Sequence, residues 1–92
     1  MVIKQFIDNI FHNPPINVEA PREFRMHYSD VGTRVEAYVV RVMYKNGRRK
    51  EFTFPIDNDH WHLVTPEKAY CRALRFYSRQ FNKMLICNEN TK

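Results

Sequence analysis

Glycine is scarce in this chain: Gly32 and Gly47 are the only two in 92 residues. That excludes the glycine-rich loops that cradle nucleotide phosphates, and it argues against low-complexity disorder. Cysteine is equally sparse. Cys71 and Cys87 would stand about 24 Å apart on one helix, too far to bridge, so reduced thiols in a cytosolic compartment are expected. No apolar run approaches membrane-spanning length, and the N-terminus lacks a basic start followed by an apolar stretch, so neither a membrane span nor a signal peptide is expected. The acids and histidines of "DNDHWHLV" (Asp57, Asp59, His60, His62) have no third histidine or cysteine at a metal-site spacing. That stretch reads as a polar loop held by Trp61 and Leu63. Cys71 sits in basic surroundings but has no Cys-His-acid arrangement around it, and a nucleophile elbow is missing. No catalytic residue, metal or cofactor is expected, and the chain reads as a non-enzyme.

What is present is apolar and basic. The chain is 43% hydrophobic and 14% aromatic, enough for a core without metal or disulfide staples, and its length suits a single compact domain over residues 1–92. Fifteen Lys and Arg against ten Asp and Glu give a net charge of +5, which favours phosphate-bearing or acidic partners.

The elements predict an α+β fold of order α-β-β-β-α: a three-stranded antiparallel sheet flanked by an N-terminal helix and a longer C-terminal one. "VIKQFIDNIFH" places Ile3, Phe6, Ile7, Ile10 and Phe11 at helical spacing. Asn13, Pro14 and Pro15 stop that helix, and "NPPINVEAP" reads as an extended strap, neither helix nor central strand. In "REFRMHYSD" Phe24, Met26 and Tyr28 alternate with polar residues, as on a strand with one buried face. "TRVEAYVVRVMYK" is rich in β-branched residues of both parities around Val39 and Val40, which suits a central strand or a bulge. "RRKEFTFPI" turns Phe52, Phe54 and Ile56 inward, and its Pro55 marks an edge. The Asn46-Gly47 turn fixes the register. A two-residue turn would pair Arg41 with Phe52; a three-residue loop, residues 45–47 with Gly47 left-handed, pairs Val40 with Phe52 and Tyr38 with Phe54. The apolar match favours the longer loop and sends Arg41 outward near Arg49. "TPE" then opens the last helix with a hydroxyl cap, a first-turn proline and an acid.

On a wheel of about 100° per residue, Tyr70, Ala73, Leu74, Tyr77, Phe81, Met84 and Leu85 share an arc expected to face the core. Lys68, Arg72, Arg75, Arg79 and Lys83 fall within roughly 80° of one another nearly opposite, where all five should reach solvent. They form a ridge about 22 Å long. A face built for helix stability alone would mix signs, yet Glu67 is the only acid in residues 65–85. The ridge fits a polyanion, and it also fits an ordinary solvated face. The tip "YKNGRRK" adds Lys45, Asn46, Arg48, Arg49 and Lys50, which suit a groove or a phosphate backbone as well as an exposed polar turn.

Two resemblances follow. The helix, three strands and basic final helix resemble the double-stranded-RNA-binding domain, which implies groove contacts from Lys68 and Arg72 and from the loop of residues 46–49. The chain departs from that family at the helix start, where consecutive lysines are missing. As a whole it is also similar to the small phage-encoded anti-CRISPR proteins that inhibit type I-F surveillance complexes, in its "VEAYVVRVMYKNGRRKEFTF" hairpin, its "TPEKAYCRALRFYSRQFNK" helix and its aromatic-rich size. That resemblance implies a monomer in the cytoplasm of an infected bacterial host. It would bind the crRNA-loaded Cas ribonucleoprotein and block target DNA hybridisation, with direct nucleic-acid contact from the basic ridge and with Phe76 and Tyr44 packing on protein. The net charge has the wrong sign for an inhibitor that imitates DNA.

Overall fold

The computed structural model describes residues 13–30, 32–58, 61 and 63–90, with side chains to Cys87. The helix expected over residues 2–12 lies outside that set. Four strands, β1 (Pro15–Val18), β2 (Arg22–Tyr28), β3 (Gly32–Tyr44) and β4 (Arg49–Pro55), precede one helix, α1 (Pro66–Asn90). The class is α+β with an antiparallel sheet, but the sheet has four strands instead of three.

Every pairing runs through β3, whose thirteen residues outreach any partner. One of its edges takes β2 along residues 32–39 and β1 along residues 42–44; the other takes β4 along residues 37–43. The extended strap, expected to be neither helix nor central strand, is the short strand β1, a fourth strand that the three-stranded expectation did not count. Residues 42–44 would otherwise carry unpaired backbone groups, and the proline-rich segment meets them with Pro15 at the strand's first position and a register shift before Asn17. β3 is both central and bulged, with its irregularity at Val35 to Ala37 opposite Phe24 and Arg25.

The hairpin between β3 and β4 adopts the three-residue register: Val40 pairs with Phe52 and Tyr38 with Phe54. Gly47 takes φ +89°, and its N–H donates to the Tyr44 carbonyl at 2.9 Å. A residue with a Cβ is disfavoured at that angle.

Alternation places Val18, Tyr38, Val40, Val42, Tyr44, Phe52 and Phe54 on the face that α1 covers. Val40 and Val42 are sealed from solvent, and so are Ala69 and Ala73 on the helix. Aromatic side chains surround this small centre: Phe76 lies 4.4 Å from Phe52 and 5.6 Å from Phe54 between ring centroids, and Tyr70 meets Tyr38 edge-on at 5.2 Å. The Thr65 hydroxyl caps the helix by accepting the Lys68 N–H at 3.2 Å.

The helix touches β1, β3 and β4 but not β2. As a result Phe24 (49% exposed) and Met26 (48%), expected to be buried, remain open to solvent, while Tyr28 is half-buried and donates to the Glu36 carboxylate. That carboxylate is the main cause raising the Tyr28 phenol above its ordinary value. No helix among the described residues is long and apolar enough to cross a membrane.

Replacing Ala73, which is sealed from solvent between helix and sheet, tests the packing. Ala73→Leu should cost about 1–3 kcal/mol by overpacking, read from the shift in urea midpoint.

Candidate nucleic-acid interface

The buried line of α1 runs through Ala69, Ala73 and Cys87, with Phe76, Tyr77, Gln80 and Met84 beside it. This is rotated from the expected arc: Tyr70, Leu74 and Leu85 are exposed, whereas Ala73, Tyr77, Phe81 and Met84 are buried or half-buried as expected. The alanines decide the rotation, because small side chains let the helix backbone approach the sheet where bulky ones would hold it off.

Rotation of the core line moves the basic ridge. Lys68, Arg72, Arg75, Arg79 and Lys83 lie about 100° round the helix from the buried line, on a flank instead of the summit. Lys68, Arg72, Arg75 and Arg79 are exposed; Lys83, nearest the core line, is half-buried, contrary to the expectation that all five reach solvent. Phe76 fixes which flank this is. It sits on the ridge side of the helix and its ring meets Phe52 and Phe54, so the ridge overhangs β4.

The helix also points toward the hairpin tip. Tyr70 packs on Tyr38, which pairs with Phe54, and Phe76 one and a half turns later packs most closely on Phe52. Continuing in that direction carries Arg79 and Lys83 toward Lys50, which shares the helix-side face with Phe52 and places its ammonium 5.9 Å from the Tyr44 ring centroid. Lys45 and Arg48 are exposed at the tip. The tip is braced: the Lys45 N–H donates to the Pro14 carbonyl at 2.9 Å and the Asn46 N–H to Asn13 Oδ1 at 3.0 Å. Asn46 Oδ1 accepts from the Arg48 N–H at 2.9 Å, so this side chain shapes the turn.

Arg41 and Arg49 do not join the ridge. Both project from the opposite face of the sheet, and Arg41 Nε donates to Glu51 Oε1 at 2.8 Å. Their outward placement near each other agrees with the register, but the sheet separates them from α1. There they border a hollow of about 440 Å³ with Asn17, Glu19, Met43 and Glu51. The alternation within "NVE", apolar Val18 between polar Asn17 and Glu19, was the signal for this surface; leaving the strap out of the three-stranded sheet hid it.

Acid pairing involves three arginines of the sheet and its links and no cation at positions 68, 72, 75 or 79, although Arg34 and Arg49 on the sheet also lack an acidic partner among the described residues. Away from the ridge, Arg22 pairs with Glu19 at 3.5 Å, Arg25 with Glu23 at 2.8 Å and Arg41 with Glu51. On the ridge, Lys68, Arg72, Arg75 and Arg79 have no acidic partner among the described residues. A shallow depression lined by Cys71, Leu74, Arg75, Ser78 and Arg79 adds apolar surface beside two guanidinium groups. Phe76 and Tyr44, expected to pack on a partner, belong to the rim of the core; Leu74 and Ile86 are the exposed apolar residues near the ridge.

Asp59, His60 and His62 lie outside the described residues. The Asp57–Val64 backbone pair, at 3.0 and 2.7 Å, closes the base of their loop. Trp61 is 87% exposed and does not pin the loop by burial. Neither cysteine is in a disulfide; Cys71 is exposed and Cys87 buried on the same helix. Comparison of the chain with protein families, with characterised proteins and with solved structures finds no match.

Because Arg75 and Arg79 are exposed and have no acidic partner among the described residues, the double reversal Arg75→Glu with Arg79→Glu should change unfolding free energy by less than about 0.5–1 kcal/mol. A larger loss in chemical denaturation would mean that these guanidinium groups hold the fold.

Proposed function

We propose that this chain is a non-enzymatic binding protein that docks on an RNA-containing assembly through the β4-side flank of α1 and the hairpin tip. Lys68, Arg72, Arg75, Arg79 and Lys83 supply the phosphate-facing charge, and Lys45, Arg48 and Lys50 extend it. The observation that carries this reading is the pairing pattern: Lys68, Arg72, Arg75 and Arg79 have no acidic partner among the described residues, while Arg22, Arg25 and Arg41 are neutralised. Unpaired arginines on a rigid helix keep their charge and donor geometry for an external anion.

The specific assembly follows from the anti-CRISPR resemblance: a type I-F crRNA-guided surveillance complex in the bacterial cytoplasm, whose target hybridisation the bound protein blocks. Residues 45–50 and the ridge contact guide RNA or occupy the path of target DNA, while Leu74 and Ile86 pack on protein. Arg41, bound to Glu51, contributes least. The second reading, a free-standing RNA-binding domain, uses the same ridge and differs in its ligand.

A pull-down from cells expressing the surveillance complex, with naked crRNA, duplex RNA and duplex DNA as parallel baits, separates these readings. The wild-type protein should retain the assembled complex and bind naked nucleic acid weakly, and Arg75→Glu with Arg79→Glu should reduce retention about tenfold or more. Equal retention by the reversed variant contradicts the proposal. Strong binding to free RNA with none to the complex favours the second reading.

A further inference from the structure

The face of the sheet turned away from α1 carries two ordered rows of side chains. Register places Glu19, Arg41 and Glu51 side by side across β1, β3 and β4, and Asn17, Met43 and Arg49 in the next row toward the hairpin tip. Together they border the hollow of about 440 Å³, a size that accepts a small ligand.

The two glutamates in the first row are not equivalent. Glu51 holds Arg41 at 2.8 Å. Glu19 receives only a 3.5 Å contact from Arg22 on Oε1, and its Oε2 is buried with no hydrogen-bond partner. A carboxylate oxygen without a donor is costly, and rotation about the soft terminal torsion of Glu19 can present both oxygens to the hollow. In the second row, the side chains of Asn17 and Arg49 have no partner among the described residues. The hollow therefore has at one corner a carboxylate that becomes a bidentate acceptor once that torsion turns its shielded Oε2 outward, an unpaired guanidinium at the opposite corner and the apolar Met43 between them. On ordinary sheet spacings that diagonal is about 12 Å.

We infer that this hollow binds a guanine nucleotide, with the base on Glu19 and the phosphate on Arg49. Guanine is the only common base whose Watson–Crick edge presents two adjacent N–H donors, N1–H and N2–H, to a carboxylate. Adenine and cytosine place an acceptor nitrogen beside their amine, and uracil flanks its single N–H with carbonyls; each would set an acceptor against Glu19. A cationic side chain would also satisfy Glu19, but the guanidinium of Arg49 borders the same hollow without an acidic partner among the described residues and disfavours a positive occupant. Arg49 and Lys50 are adjacent on β4 and face opposite sides of the sheet. A strand crossing the tip could thus place one nucleotide in the hollow and its neighbouring phosphates on the helix side. In that form the inference rests on the nucleic-acid reading above, deepening it from charge to base identity.

The test is titration of the full chain with the four 5′-mononucleotides, followed by NMR. Guanosine monophosphate should bind about tenfold or more tightly than the other three. Glu19→Gln should remove that preference, since an amide cannot accept both N–H groups. Arg49→Ala, at an exposed position, should weaken guanosine monophosphate while leaving guanosine unchanged, and keeps the test available if the Glu19 variant fails to fold. No binding, equal binding of all four nucleotides, or an unchanged preference in Glu19→Gln overturns the inference. Arg75→Glu with Arg79→Glu should leave mononucleotide binding intact, so failure of the ridge and failure of the hollow are read independently.

Discussion

The close approach of α1 to β3, through Ala69 and Ala73 on the helix and Val40 and Val42 on the sheet, fixes everything else about the surface. All four side chains are sealed from solvent. Two alanines bury little apolar area themselves, but they let the helix settle onto the sheet, and the aromatic residues then close around the contact. Phe76 on Phe52 and Phe54, with Tyr70 on Tyr38, locks the rotation of the helix. Once that rotation is set, the cations at positions 68, 72, 75, 79 and 83 can lie only on the flank above β4. The proposed binding surface thus derives its position from the core, and no loop is needed to place it.

Charge is distributed with the same economy. Acids of β2, β4 and the β1–β2 link neutralise arginines on the sheet, whereas Glu67 in the first turn of α1 is the only acid on the helix before its last turns. Because Coulombic attraction to phosphates is screened over about 8–10 Å in physiological salt, the local density of unpaired charge matters more than the net +5. The hairpin tip connects the two surfaces, since successive residues of β4 point to opposite faces.

Much of this arrangement was legible in the chain. The three-residue loop followed from matching Val40 and Tyr38 with Phe52 and Phe54, and the helix start followed from Thr65, Pro66 and Glu67. Pro55 correctly marked an edge. What the wheel missed was size: it weighted Tyr70, Leu74 and Leu85 as core because they are apolar, whereas close packing selected Ala69 and Cys87 beside the expected Ala73. Phe24 and Met26 misled for a related reason, because alternation shows that a strand has an apolar side and not whether anything covers it. The pairing of β1 was hidden because two prolines signal the loss of backbone donors, while the demand for partners came from residues 42–44, far away in sequence. Glu19 and Arg41 meet only through that pairing.

The salt dependence of binding tests the central claim most directly. Affinity of the chain for the crRNA-loaded surveillance complex should fall linearly on a log–log plot against salt, with a slope of about −3 if four phosphates are neutralised, and Arg75→Glu with Arg79→Glu should flatten that slope by about 1.5. Affinity that is insensitive to salt, or a slope unchanged by the double reversal, would contradict a phosphate-binding role for the flank of α1.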